Sequence, residues 1–231
     1  NVLNENLEII KNCKSLKKLS LSESINIDIK YLLPIIPKLT HLDVSNCNLN
    51  GSDFSEILKI GDNLESLKFS DNNLLSLPIM SIQTNLKILN ISKCKIVSSQ
   101  CLNLFMNLES LQEINLSKNN FSNIDSNIIN SIFNNSTEEP VSKRLPLSDY
   151  SLKSNNYKTN LKKIDFSSCE LNNQEFIENL FGINGLEILN LAFNNFNFSF
   201  EEIVKGRAKD TLKELDLKFC KISSPEDFKY L

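Results

Sequence analysis

Apolar residues return along this chain in a fixed rhythm. Counting from a leucine, apolar side chains recur three and five residues on. Asn or Cys follows at the eighth residue and another apolar residue at the tenth. The copies are Leu39/Leu42/Val44/Cys47/Leu49, Leu64/Leu67/Phe69/Asn72/Leu74, Leu86/Leu89/Ile91/Cys94/Ile96 and Leu111/Ile114/Leu116/Asn119/Phe121. After a gap come Leu161/Ile164/Phe166/Cys169/Leu171, Leu186/Leu189/Leu191/Asn194/Phe196 and Leu212/Leu215/Leu217/Cys220/Ile222. A weaker copy, Leu16/Leu19/Leu21, carries Ser24 in the polar slot. The two apolar residues at the centre of each copy alternate with polar ones, which predicts a short strand with one face inward. Between copies, Phe54, Ile57 and Leu58 after Ser52 predict a helix, as do residues 3–10, 127–133 and 174–181. Ser199–Glu202 reads as a capping box and Ser224-Pro225 as a further helix start. Pro78 in the short stretch 74–85 predicts an extended or 3₁₀ return.

First leucines lie 22 to 26 residues apart, except Leu111 and Leu161, which are two periods apart. A unit of that length is one strand plus its return, stacked on the next unit. In each unit the Asn or Cys points inward and hydrogen-bonds backbone groups left unpaired where the strand ends. The skeleton L-x-x-L-x-L-x-x-(N/C)-x-L resembles that of leucine-rich-repeat proteins along almost the whole chain. The alternation Cys47, Asn72, Cys94, Asn119, Cys169, Asn194, Cys220 resembles the ribonuclease-inhibitor-like class. That class includes the Ran GTPase-activating proteins, tropomodulins, the CARMIL actin regulators and the repeat domains of innate-immune receptors. Shorter repeats and only five glycines depart from it. The resemblance implies an α/β leucine-rich-repeat solenoid, a horseshoe with a parallel concave sheet and short helices or extended returns on the convex side. Residues 1–231 then form a single domain of about eight repeats, cut at both ends, with an insertion loop at 134–158. The resemblance also implies a non-enzymatic scaffold for protein–protein interaction, a subunit of a larger complex. The alternatives are a regulatory factor such as a small-GTPase activator, or a ubiquitin-ligase substrate receptor.

Composition narrows the function. A net charge of −3 argues against a nucleic-acid partner. Arg occurs only at 144 and 207 and Ala only at 192 and 208, while Asn, Lys and Ile abound. This follows an AT-rich coding bias, so many surface Asn and Lys reflect that bias rather than function. No apolar run is long enough to span a membrane. Cysteines in alternate repeats stand too far apart for disulfides. All six therefore read as reduced, in a cytoplasmic or nuclear protein. His41, the only histidine, lies beside Asp43 on the outward side of a strand and has no nucleophile context. No phosphate-binding glycine loop and no metal-ligand spacing occurs, so no catalytic residue, cofactor or metal is assigned.

Two places read as partner-binding. Aligned by repeat, the residue before the Asn/Cys slot is polar from Glu23 to Ser168, then becomes Phe193 and Phe219. These rings are expected to be neighbours and, with Ile188 and Ala192, to form an apolar patch flanked by Asp165, Glu214 and Asp216. The second place is the insertion, where Lys143-Arg144-Leu145-Pro146 offers Arg144 and Leu145 as contacts.

Overall fold

In the computed structural model, residues 4–25, 27–75, 84–97, 102, 108–125, 160–198 and 206–222 are described. Eight three-residue strands build one parallel sheet. They are β1 (Lys18–Ser20), β2 (His41–Asp43), β3 (Ser66–Lys68), β4 (Ile88–Asn90), β5 (Glu113–Asn115), β6 (Lys163–Asp165), β7 (Ile188–Asn190) and β9 (Glu214–Asp216). Their order in space is their order in sequence. Leu19, Leu42, Leu67, Leu89, Ile114, Ile164, Leu189 and Leu215 pair in one continuous register. β5 pairs directly with β6, so the two-period gap between them adds no strand to the sheet. A second parallel pair joins β8 (Asn197–Phe198) to β10 (Lys221–Ile222) on the returning side.

The core is a stack of repeat leucines completed by aromatic rings. Phe69 and Phe166 fill the third apolar slot of their repeats. Phe69 meets Phe54 edge-on at 5.0 Å, and Phe166 meets Phe121 and Phe176 edge-on at 5.7 and 5.5 Å. Phe54 belongs to helix α2 (Gly51–Ile60) and Phe176 to helix α3 (Gln174–Phe181), so both helices dock on the sheet through their apolar stripe. Helix α1 (Asn4–Ile10) buries Leu7 in the same way.

Helix α2 is capped by Asn50, two residues before Ser52. Asn50 accepts from the amides of Ser52 and Asp53, and Asp53 accepts from the Asn50 amide, a reciprocal capping box. Gly206 lies against α3, where an added Cβ would sit 2.5 Å from the Phe181 carbonyl oxygen. The predicted helices at 127–133, 199–202 and 224–227, and the 3₁₀ return around Pro78, lie outside the described residues.

The alternating slot residues form a hydrogen-bond ladder through the solenoid. Asn72 accepts at Oδ1 from the amides of Cys47 and Leu49, at 3.1 and 2.9 Å. Its Nδ2 donates to the carbonyls of Val44 and Phe69, at 2.8 and 2.9 Å. Asn119 repeats the set with Cys94, Ile96, Ile91 and Leu116, and Asn194 with Cys169, Leu171, Phe166 and Leu191. Each Cys thiol in turn donates back to the third-slot carbonyl of the repeat before it. Cys47 reaches Leu21, Cys94 reaches Phe69, Cys169 reaches Leu116 and Cys220 reaches Leu191, at 3.1 to 3.2 Å. These thiols are free, as is Cys13, which is exposed just past α1.

Two outcomes follow for stability. Asn119→Ala strips the buried amides of Cys94 and Ile96 of their acceptor. It should lower the unfolding free energy by about 3 kcal/mol; a loss below about 1 kcal/mol in urea unfolding contradicts the ladder's role. The second concerns alkaline pH. Burial pushes the Cys94 and Cys169 thiols from the ordinary 9.0 up to about 12. Above pH 9 the unfolded chain sheds protons that the folded one holds, so this stability is intact below pH 9 and lost toward pH 12. Unfolding free energy should therefore fall across that window, with a slope that flattens in Cys94→Ala/Cys169→Ala. An unchanged slope in that variant removes the thiols from the account.

Candidate interaction surface

Where each strand ends, the chain turns through a residue in the left-handed region, and Asn48, Lys95 and Glu170 add a second one after the Cys of their repeats. Glu23, Asn46, Asp71, Lys93, Lys118, Ser168, Phe193 and Phe219 occupy the strand-end position, with φ between 53° and 64°. The turn aims the amide of this residue at the next repeat. Asn46 donates to Ser70, Lys93 to Ser117 and Phe193 to Lys218, at 2.8 to 2.9 Å. The same turn throws the side chain outward onto the edge of the concave sheet. Asn and Asp tolerate this conformation well; a bulky aromatic is a clear outlier there.

Phe193 and Phe219 stack on that edge, with ring centroids 4.7 Å apart and planes inclined at 24°. They stay 54% and 74% exposed. The apolar patch is this ring pair and not the four-residue surface expected from sequence. Ala192 is only 2% exposed, and its row, otherwise serine in six repeats, is a bend where small side chains pack against their neighbours. Ser70 donates to the Ser45 hydroxyl in this row, at 3.0 Å. Ile188 is half-buried at the start of β7, between Lys163 and Glu214 and five residues before Phe193.

Asp216 has a structural task that sequence reading missed. Its Oδ1 accepts from the Lys218 amide at 2.9 Å, closing an Asx turn at the end of β9. Asp43, Asn90, Asn115, Asp165 and Asn190 make the same bond in their repeats. The signal was present as Asp or Asn at the third strand position in six of eight copies. A further ladder joins repeats before the strands. Asn63, Asn85 and Asn160 donate to the carbonyls of Pro37, Asp62 and Glu109 in the preceding repeat. Coding bias does not account for these asparagines. Arg144, Leu145 and the rest of the 134–158 insertion lie outside the described residues.

Charged side chains at the other end of the strands pair across repeats. Glu187 lies between Lys213, at 2.6 Å, and Lys162, at 3.7 Å. The Lys213 ammonium, hydrogen-bonded to it, holds its carboxyl below the ordinary range. His41 is half-buried, with Nδ1 2.9 Å from the Thr40 hydroxyl. Among the described residues no group of His, Cys, Asp and Glu is placed to hold a metal ion. None of their helices is long and apolar enough to cross a membrane.

The Leucine Rich Repeat family model matches residues 38–60 and 211–231, and the chain has the leucine-rich-repeat fold. Its fold is that of solved repeat proteins. The TLR13–ssRNA13 complex matches with a TM-score of 0.63 at 20% identity, over 99% of this chain and 29% of that one. An internalin C2 from Listeria monocytogenes matches at 0.58 and 16% identity, over 98% of this chain and 79% of that one. The APL1 leucine-rich-repeat domain matches at 0.54 and 19% identity, over 96% of this chain and 46% of that one. The chain thus spans less than a third of the TLR13 chain and less than half of the APL1 chain. These likenesses define the fold and do not assign a subfamily. No curated protein matches the sequence.

If the rings strain the backbone, replacing them should relieve it. Phe193→Asn and Phe219→Asn are each expected to raise stability by about 1 kcal/mol, since Asn is at ease at positive φ. Thermal melting tests this. A fall of about 1 kcal/mol or more for either would make the rings part of the fold instead.

Proposed function

We propose that this chain is a non-enzymatic protein-interaction scaffold, in which residues 1–231 act as one repeat domain. Its partner engages the turn edge of the concave sheet. Phe193 and Phe219 are the anchors, with Ile188 and Asp216 at the border of the contact. The observation that carries this reading is an exposed aromatic pair held where the backbone disfavours aromatic residues. Aromatic anchors in contiguous exposed patches dominate protein interfaces. Arg144 and Leu145 of the 134–158 insertion are proposed as a second contact. The free, protonated thiols in the core suit a reducing compartment, so the assembly is assigned to the cytoplasm or nucleus.

The fold-preserving variant Phe193→Asn/Phe219→Asn is the test. In affinity capture with quantitative mass spectrometry, the parent should retain a set of proteins that this variant loses by tenfold or more, about 1.4 kcal/mol. Equal capture by both proteins, with both shown folded by circular dichroism, refutes the ring pair as the contact. Deleting 134–158 in the same experiment tests the second contact.

A further inference from the structure

The turn edge that carries the rings is divided by charge. Three positions per repeat border it: the residue after the third apolar slot, exposed at Ser22 and Lys218 but packed at Ser117 and Ala192, the positive-φ residue, and the residue after Asn or Cys. In the first three repeats these are Ser22, Glu23, Ile25; Ser45, Asn46, Asn48; and Ser70, Asp71, Asn73. They hold two carboxylates and no cation. In the last five they hold Lys93, Lys95, Lys118, Lys218 and Lys221, with Glu170 the one carboxylate. All five lysines are exposed. Lys93 is engaged by Asp71 at 3.2 Å, and Glu170 accepts from Asn120 at 2.9 Å. Lys95, Lys118, Lys218 and Lys221 make no ion pair among the described residues. Lys218 and Lys221 bracket Phe219 in sequence, and Lys118 lies two repeats from Phe193 with only Ser168 between them in that row.

On this chain of net charge −3, Lys95, Lys118, Lys218 and Lys221, four of the exposed lysines without an ion pair among the described residues, lie on the edge that holds the exposed rings. From this complementarity we infer that the partner contributes an acidic segment with a large apolar side chain. The apolar side chain packs on the open faces of Phe193 and Phe219. The segment's carboxylates meet Lys118, Lys218 and Lys221. A single nucleic-acid strand also combines negative charge with planar groups. The ring geometry disfavours it. The rings are closed on one another, leaving no slot for a base between them.

This inference rests on the ring pair being the contact, and the experiment separates the two. Short random peptides are selected by display against the full chain. The selected peptides, and single-stranded oligo(U), are then titrated by fluorescence anisotropy. The proteins compared are the parent, Phe193→Asn/Phe219→Asn and Lys118→Glu/Lys218→Glu/Lys221→Glu. The lysines are exposed, so charge reversal there leaves the core intact. Selection should enrich Asp and Glu around one aromatic or large aliphatic residue. Affinity should fall by tenfold or more in each variant and weaken with added salt. Peptides that are not acidic, or that bind the charge-reversed variant as well as the parent, overturn the inference. If those peptides still lose binding to the ring variant, the anchor reading survives. Peptides that bind the ring variant normally overturn both. Lysine-dependent binding of oligo(U) without acidic peptides, or a selection that yields no binder, also overturns the inference.

Discussion

The structure depends on one constraint: backbone amides and carbonyls at the end of every strand are buried and must find partners. A three-residue strand followed by a sharp turn leaves several such groups facing the core at each repeat. An orphaned one costs about 1–3 kcal/mol, so eight repeats left unsatisfied would exceed the net stability of a typical domain. The Asn and Cys side chains are the answer. Asn satisfies two amides and two carbonyls at once, reaching back into the repeat before it. Cys supplies one donor from a side chain small enough to be covered completely. The alternation follows from this geometry. An Asn serves its own repeat and the Cys repeat before it, so the Cys repeat needs only the single bond its thiol makes.

The ladder also fixes what is free to vary. Each repeat presents the same rows: inward apolar slots, the polar slot, the Asx position, the small-residue bend and the positive-φ position. Four of these rows have tasks that limit their chemistry. The positive-φ row has only a backbone task, because its amide bonds the next repeat whatever its side chain is. It accordingly holds Glu, Asn, Asp, Lys, Ser and Phe in turn. Variation along that row is therefore where one repeat protein can differ from another without disturbing the stack.

The sequence made the architecture legible because the constraint recurs at every repeat. The strands, their register and the inward Asn and Cys could be placed from the leucine spacing, and so could α2 and α3. Neighbouring rings at Phe193 and Phe219 followed from aligning the row. Other features were misread for physical reasons. Ala192 precedes Phe193 in sequence, but the backbone turns between them, so strict alternation fails at the strand end and the alanine packs inward. Asp216 read as a surface charge because an Asx bond to a backbone amide leaves no mark on one residue taken alone. Asn63, Asn85 and Asn160 were masked by a composition rich in asparagine.

The energetics of the ring pair argue for its role. A bulky residue at positive φ costs roughly 1–2 kcal/mol, so two in succession cost roughly 2–4. Stacking the rings returns about 0.5–1.5 kcal/mol. With much of each ring still in water, burial recovers little of the remainder. An Asn or Asp, residues this row uses elsewhere, would remove most of the cost without disturbing the ladder. Two adjacent aromatic residues that strain the backbone and stay exposed make little sense as devices for folding. They make sense where a partner covers them, because burying both faces of the pair then supplies more than the strain withholds.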